Sequence, residues 1–276
     1  MGAAASRPHL RRIPAGVTSP KHLPRKRFGQ HFLVDRSVIE AIVRAVAPRD
    51  GDELLEIGPG QAALTDALLE RIGHLTAIEI DRDLARRLRG RHPAERLTLI
   101  EADALRFDYR RAAGRWRLVG NLPYNISSPL LVHLVQFREQ VADQHFMLQK
   151  EVVDRIAAQP GTTDYGRLTV LLQTYYAAQA LFDVDAAAFD PPPRVTSAVL
   201  RMIPLRAADE PPLAVMEALL AQAFAQRRKM LRNTLLPWLA ARGIADSGLA
   251  PTSRPEDVPV ADYVALARRL SISSIL

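Results

Sequence analysis

Glu53-Leu54-Leu55-Glu56-Ile57-Gly58-Pro59-Gly60-Gln61-Ala62-Ala63 decides the fold. Its first half is a short, mostly apolar run of strand length, and its second half is a G-x-G-x-x-A turn opening a helix. That helix is expected over Ala63–Ile72, with Gly73 at its C-cap. A second strand is expected over Leu75–Ile80, so that Glu79 falls nineteen residues after Gly60. Glycines let a backbone approach a ligand closely, and a carboxylate at the next strand end can accept both hydroxyls of a ribose.

Working outward, Ser37–Ala47 and Leu84–Leu88 read as helices, and Leu97–Ile100 and Trp116–Gly120 as strands. A helix over Pro129–Phe137 and a strand over Gln144–Leu148 follow. Strands separated by helical segments imply βαβ units and a parallel sheet. Past residue 150 come a helix, a stretch Arg167–Leu181 that fits helix or strand, a turn at Pro191-Pro192-Pro193 and a strand over Thr196–Ile203. Pro204–Pro212 reads as a linker, and helices are expected at Leu213–Phe224, Arg228–Ala241 and Val260–Leu270. The predicted organisation is a basic disordered tail (1–24), an α/β domain (25–206) and a small helical domain (207–276).

The chain has 276 residues and no cysteine, which excludes disulfides, thiolate metal sites and cysteine nucleophiles. No apolar run reaches the roughly 18–20 residues of a membrane span, so a soluble, cytoplasmic protein is expected. Neither G-x-S-x-G nor H-E-x-x-H occurs, which argues against hydrolases, and the seven histidines lack metal-ligand spacing. No metal is expected, and His133 and His145 are expected to satisfy local hydrogen bonds. The net charge of +7 is unevenly spread: residues 1–36 carry eight basic side chains against Asp35 alone. A second basic stretch, Arg227, Arg228, Lys229 and Arg232, lies within 218–245, which holds no acid. Composition alone leaves it open between a solvated helix face and a phosphate-binding surface.

The glycine loop with Glu79 is shared by nicotinamide enzymes, flavin enzymes and S-adenosylmethionine (SAM) methyltransferases, and an ordinary tight turn would look similar. Asp103 after the third strand shifts the balance to SAM, because its carboxylate can accept from an adenine amino group. Asn121-Leu122-Pro123-Tyr124 directly after the fourth strand is decisive. An adenine N6 is a poor nucleophile because its lone pair is delocalised into the ring. Two acceptors, the Asn121 side-chain oxygen and the Leu122 carbonyl, can hold its hydrogens and favour a pyramidal nitrogen. Tyr124 offers a ring face to an extruded base, worth about 1–3 kcal/mol.

Across residues 25–275 the chain resembles the small-subunit ribosomal RNA adenine dimethyltransferases, the kasugamycin-sensitivity enzymes. The resemblance rests on Arg25-Lys26-Arg27-Phe28-Gly29-Gln30-His31-Phe32-Leu33, the glycine loop, Glu79-Ile80-Asp81 and Asn121-Leu122-Pro123-Tyr124-Asn125-Ile126-Ser127-Ser128-Pro129. It continues in Met147-Leu148-Gln149-Lys150-Glu151-Val152, Phe189-Asp190-Pro191-Pro192-Pro193-Arg194-Val195-Thr196-Ser197 and Phe224-Ala225-Gln226-Arg227-Arg228-Lys229. The chain departs from the family at His31, where asparagine is commoner, and at Ala63, where many members have glycine.

The resemblance implies a Rossmann-like SAM-dependent methyltransferase domain with a small C-terminal all-helical domain. It implies SAM contacts from His31, Leu33, Gly58, Gly60, Glu79, Ile80, Asp103, Ala104 and Asn121, and a reaction centre of Asn121, Leu122, Pro123 and Tyr124, with Phe189 as a second stacking aromatic. It also implies RNA contacts from Arg25, Lys26, Arg27, Arg194, Arg227, Arg228, Lys229 and Arg232. The implied activity is N6,N6-dimethylation of two adjacent adenosines in a loop near the 3′ end of 16S rRNA, by a monomer acting on the small ribosomal subunit or its precursor. Three rival readings stand beside it: a large-subunit rRNA methyltransferase, a DNA adenine methyltransferase and a small-subunit assembly factor.

Overall fold

The computed structural model describes residues 31–111 and 114–273. The predicted tail and Arg25, Lys26 and Arg27 lie outside the described residues. The described residues begin with β1 (Phe32–Leu33) and α1 (Arg36–Val46), whose first turn is capped by Asp35 accepting from the Ser37 and Val38 N–H groups at 2.8 and 3.2 Å. Then come β2 (Leu54–Ile57), α2 (Ala63–Leu69), β3 (Leu75–Glu79), α3 (Arg82–Arg91), β4 (Leu97–Glu101), β5 (Trp116–Asn121), α4 (Ser127–Val135) and β6 (Val141–Gln149). The remainder is α5 (Lys150–Ala157), α6 (Arg167–Tyr175), β7 (Tyr176–Val184), β8 (Phe189–Asp190), β9 (Ser197–Pro204), α7 (Leu213–Phe224), α8 (Leu235–Ala240) and α9 (Val260–Ser273).

Seven strands form one sheet of order β4-β3-β2-β5-β6-β9-β7, while β1 and β8 make a separate antiparallel ribbon. The first five are parallel, in keeping with the βαβ reading. β9 then runs antiparallel to both β6 and β7. From β2 the chain winds outward through β3 to β4, then returns to the other side of β2 at β5. That reversal leaves a crevice beyond the carboxyl ends of β2 and β5, where open α/β sheets hold ligands.

One stretch left open by the sequence is resolved, and two expectations need correction. The stretch 167–181 holds both patterns in succession, α6 followed by β7, with the switch at Tyr175–Tyr176. The single helix expected over Arg228–Ala241 is broken: a turn, a short 3-10 segment over Leu231–Asn233 and α8 replace it. Thr234 takes φ −129° and ψ −70°, outside helical values, and Pro237 has no N–H for an uninterrupted helix. α2 also ends at Leu69, with Glu70 rather than Gly73 at its cap.

β2 and β3 are buried along their whole length, as strands covered on both faces must be. One apolar cluster includes α1 and α2 residues such as Val46 and Leu68. The other runs without a break from Phe146 and Leu148 through Leu131 and Leu172 to Leu220, Leu239 and Leu266. The C-terminal helices therefore share a core with the sheet. Among the described residues no helix is long and apolar enough to cross a membrane.

Candidate active site

The carboxyl ends of β2, β3, β4 and β5 surround a cavity of about 300 Å³. Gly58 and Gly60 line it with φ of +72° and +57°, the left-handed region that disfavours side chains. A β-carbon on Gly60 would also lie 3.2 Å from the Phe32 ring. The turn therefore has both a conformational and a steric reason for glycine.

Glu79 ends β3 and is 5% exposed. Its Oε1 accepts from the Asp81 N–H at 2.8 Å and its Oε2 from the Gly60 N–H at 3.3 Å. Burial lifts its pKa above the ordinary carboxylate value, against the pull of these two donors. Asp103 follows β4, with Oδ1 accepting from the Leu105 N–H at 2.9 Å. Ile80, Ala104 and Leu122 supply apolar wall. Two acidic acceptors on neighbouring strand ends, apolar surface between them and open glycine backbone fit the adenosine part of SAM. Glu79 would hold the ribose and Asp103 the adenine amine.

Asn121 ends β5 and faces the same cavity. Its Nδ2 donates to the His31 carbonyl at 2.9 Å. Tyr124 lies half-buried at the cavity, its hydroxyl 2.7 Å from Ser197 Oγ and its backbone carbonyl accepting from Ser127 Oγ at 3.1 Å. Burial pushes the Tyr124 phenol up, so it stays neutral. The His31 ring stacks on Tyr124 with centroids 5.7 Å apart and planes at 25°, and its Nδ1 lies 2.8 Å from the Pro191 carbonyl.

The cavity thus gathers His31, Gly58, Gly60, Glu79, Ile80, Asp103, Ala104, Asn121, Leu122, Pro123 and Tyr124. Two expected residues stand outside it. Leu33 is buried opposite Phe189 in the β1–β8 ribbon. Phe189, expected as the second stacking aromatic, is 3% exposed and belongs to the apolar cluster below. Strand alternation turns Phe189 inward and Asp190 outward. Besides Tyr124, the rings that line the cavity are those of His31 and Phe32, and His31 is the one stacked on Tyr124.

Of the expected RNA contacts, Arg194, Arg227, Arg228, Lys229 and Arg232 are exposed. Arg227 is engaged within the fold: its Nε meets Glu256 at 2.6 Å and one terminal nitrogen donates to the Thr163 carbonyl at 2.6 Å. His133 bonds Gln136 at 2.9 Å, as expected. His145 departs from expectation: neither ring nitrogen has a hydrogen bond, and Nδ1 stands 3.7 Å from Asp143.

Three contributors escaped the sequence reading: the His31 backbone carbonyl, the Ser197 hydroxyl and Gly120. Only Gly120 carried a signal, since a glycine inside a strand marks a close backbone approach.

A model of the ribosomal RNA adenine dimethylase family matches residues 21–271. The ribosomal RNA small subunit methyltransferase A of Bordetella pertussis is 59% identical over 251 residues, covering 90% of this chain and 95% of the relative. The protein of the same name from Paracidovorax citrulli is 55% identical over 254 residues, covering 90% and 98%. Among solved structures, a dimethyladenosine transferase from Plasmodium falciparum superposes with a TM-score of 0.75 at 23% identity, covering 88% of this chain and 98% of that one. The 23S rRNA methyltransferase ErmE does so with 0.66 at 26% identity, covering 87% and 99%.

Proposed function

The chain belongs to the ribosomal RNA adenine dimethylase family, and from that premise we propose that it converts two adjacent adenosines near the 3′ end of 16S rRNA to N6,N6-dimethyladenosine. It is an rRNA adenine methyltransferase that uses SAM, which supplies an electrophilic methyl on a sulfonium. The finer reading is that the substrate is the small ribosomal subunit or its precursor, met by a monomer in the bacterial cytoplasm during ribosome biogenesis. The high identity to relatives named for the small subunit favours this over the large-subunit alternative.

The observation that carries the chemistry is the fixed carboxamide of Asn121. A carbonyl can only accept, so the His31 contact commits Nδ2 and leaves Oδ1 as the acceptor for a target N6 hydrogen. With its hydrogens held by Asn121 Oδ1 and the Leu122 carbonyl, N6 aims its lone pair at the incoming methyl. Tyr124 supplies the stacking surface, with its phenol neutral. The N6 proton becomes acidic once the new N–C bond forms and leaves to water, so no strong side-chain base is required. Glu79 and Asp103 orient the nucleoside half of the donor, with Gly58 and Gly60 allowing close backbone approach. Arg25, Lys26, Arg27, Arg194, Arg228, Lys229 and Arg232 would meet RNA phosphates, which position the substrate without reading its sequence.

Labelled-methyl transfer to isolated small subunits, naked 16S rRNA, 23S rRNA and DNA in parallel, with the modified base mapped, tests this reading. Two adjacent dimethyladenosines in the small subunit are expected. Asn121→Ala should lower the rate by about 10²–10³-fold, the scale for losing one preorganised polar group. Methylation confined to 23S rRNA or DNA, or wild-type turnover by Asn121→Ala, would refute it.

A further inference from the structure

Three segments distant in the chain meet at one imidazole. The His31 carbonyl accepts the Asn121 amide at 2.9 Å, the His31 ring stacks on Tyr124, and His31 Nδ1 reaches the Pro191 carbonyl at 2.8 Å. We propose that His31 is a positioning residue for the transfer step, holding the Asn121 carboxamide and the Tyr124 ring in register. The proposal rests on the function assigned above but assigns His31 a task other than holding the cofactor.

An amide can present oxygen or nitrogen to a site by a half-turn, and the wrong face at the target N6 would repel its hydrogens. The His31 carbonyl removes that choice. Its own place must then be fixed, and β1 is a two-residue strand paired to an equally short partner. The ring supplies an anchor at the same residue. Because the Pro191 carbonyl only accepts, Nδ1 must be the donor in this contact. The ring also backs Tyr124 from one side while Ser197 holds its hydroxyl at 2.7 Å. A side chain that ties Asn121's partner to the Pro191 segment and braces the stacking ring acts through others.

Substitutions at His31 separate the parts. Asparagine has an amide nitrogen at the same branch position as Nδ1, so His31→Asn retains the donor without the ring. His31→Phe retains a ring without the donor, and His31→Ala loses both. Single-turnover methyl transfer to small subunits is expected to fall about 10–100-fold in His31→Ala and His31→Phe, the scale of a small misplacement at a reacting centre. His31→Asn should stay within about fivefold of wild type on the same reasoning. The SAM dissociation constant, measured by calorimetry, should change much less than the rate in all three.

A readout independent of turnover is the Asn121 side-chain amide signal in the NMR spectrum, identified by its loss in Asn121→Ala. It should shift and exchange faster with solvent in His31→Ala and His31→Phe, and remain in place in His31→Asn. An unmoved amide signal overturns the proposal, as does a loss that resides wholly in SAM affinity. If His31→Ala does not fold, His31→Phe carries the same readouts. If wild-type protein fails to methylate small subunits, the functional reading fails while the amide signal still decides this one.

Discussion

A β-carbon built on Gly120 would stand 2.4 Å from the carbonyl oxygen of Ile57 on the neighbouring strand. β5 and β2 pair in parallel at this point, with Glu56 opposite Val119 and Ile57 the last residue before the glycine turn. The approach brings the end of β5, and with it Asn121, close to the loop that cradles the nucleoside.

Gly120→Ala should therefore push β5 outward. Overpacking of this kind costs about 1–3 kcal/mol, and methyl transfer should fall further than stability because Asn121 is the next residue. Gly90 provides the contrast: it lies exposed in α3, has no positive φ, and a β-carbon added there would meet nothing within 4 Å. Gly90→Ala should stabilise by about 0.5–1 kcal/mol through helix propensity. Thermal melts of both variants check the pair, and a Gly120→Ala protein as stable and active as wild type would contradict the first half.

Glu79 has both oxygens occupied by backbone donors, and a bound ribose must share them. Glu79→Gln retains an acceptor but removes the charge and puts an amide donor where N–H groups already point. SAM affinity should drop by about 10–100-fold, the equivalent of a hydrogen bond to a charged group. Burial raises the Glu79 pKa, so in wild-type protein the loss of affinity on acidification should begin above the pH at which a free glutamate would protonate. Calorimetric titration across pH checks both points, and Glu79→Gln should remove that acid limb.

Much of this site was legible because strand ends are legible. Glu53–Ile57, Leu75–Ile80, Leu97–Ile100 and Trp116–Gly120 each alternate or cluster apolar residues before a polar turn, and a parallel sheet brings such turns to one edge. Gly58, Glu79, Asp103 and Asn121 followed from that alone. What could not be read depends on tertiary placement. A two-residue strand such as β1 has no periodicity, so nothing in the sequence pairs Leu33 with Phe189 or turns Phe189 inward. The His31–Asn121 bond uses a backbone carbonyl, which every residue has, across ninety positions. The helix expected at 228–241 failed because its apolar period continues through Thr234, where the backbone departs from helical geometry.

Two buried titratable groups should shape the pH dependence of stability from opposite sides. Glu56 lies beneath the glycine turn, accepting from Thr65 Oγ1 at 2.7 Å, and burial pushes its pKa up to about 8. A raised carboxyl pKa means that the folded state holds a proton the unfolded chain releases near 4.5, so stability declines as pH climbs from there through about 8. His145 behaves in the opposite sense. Burial first, then Arg117 and Arg201, lower its pKa to about 4, with Asp143 opposing. Its contribution is complete above about 6.5 and is lost as pH falls through about 4. Glu56→Gln should flatten the alkaline limb and raise the melting temperature at pH 8.5 relative to wild type. His145→Gln should flatten the acid limb. Melting curves from pH 4 to 9 decide, and parallel curves for wild type and either variant would sink the corresponding assignment.

Adjacent arginines in the second basic stretch should behave differently. Arg227 joins the end of α7 to the segment before α9 through Glu256, and to the α5–α6 loop through the Thr163 carbonyl. Arg228, Lys229 and Arg232 are exposed, and no ion pair engages them among the described residues. Arg227→Ala is therefore expected to lower the melting temperature, with any loss of RNA binding accompanying that change. Arg228→Ala, Lys229→Ala and Arg232→Ala should leave the melt within about 0.5 kcal/mol of wild type, as is usual for surface changes. Each should weaken small-subunit binding and reduce the slope of log affinity against log salt by about 0.7–0.9 per lost phosphate contact. Removing residues 1–24 should lower the same slope more than it lowers SAM affinity, because that segment carries four of the chain's basic side chains and no acid. A salt slope unchanged in the three exposed variants would place the RNA elsewhere on the protein.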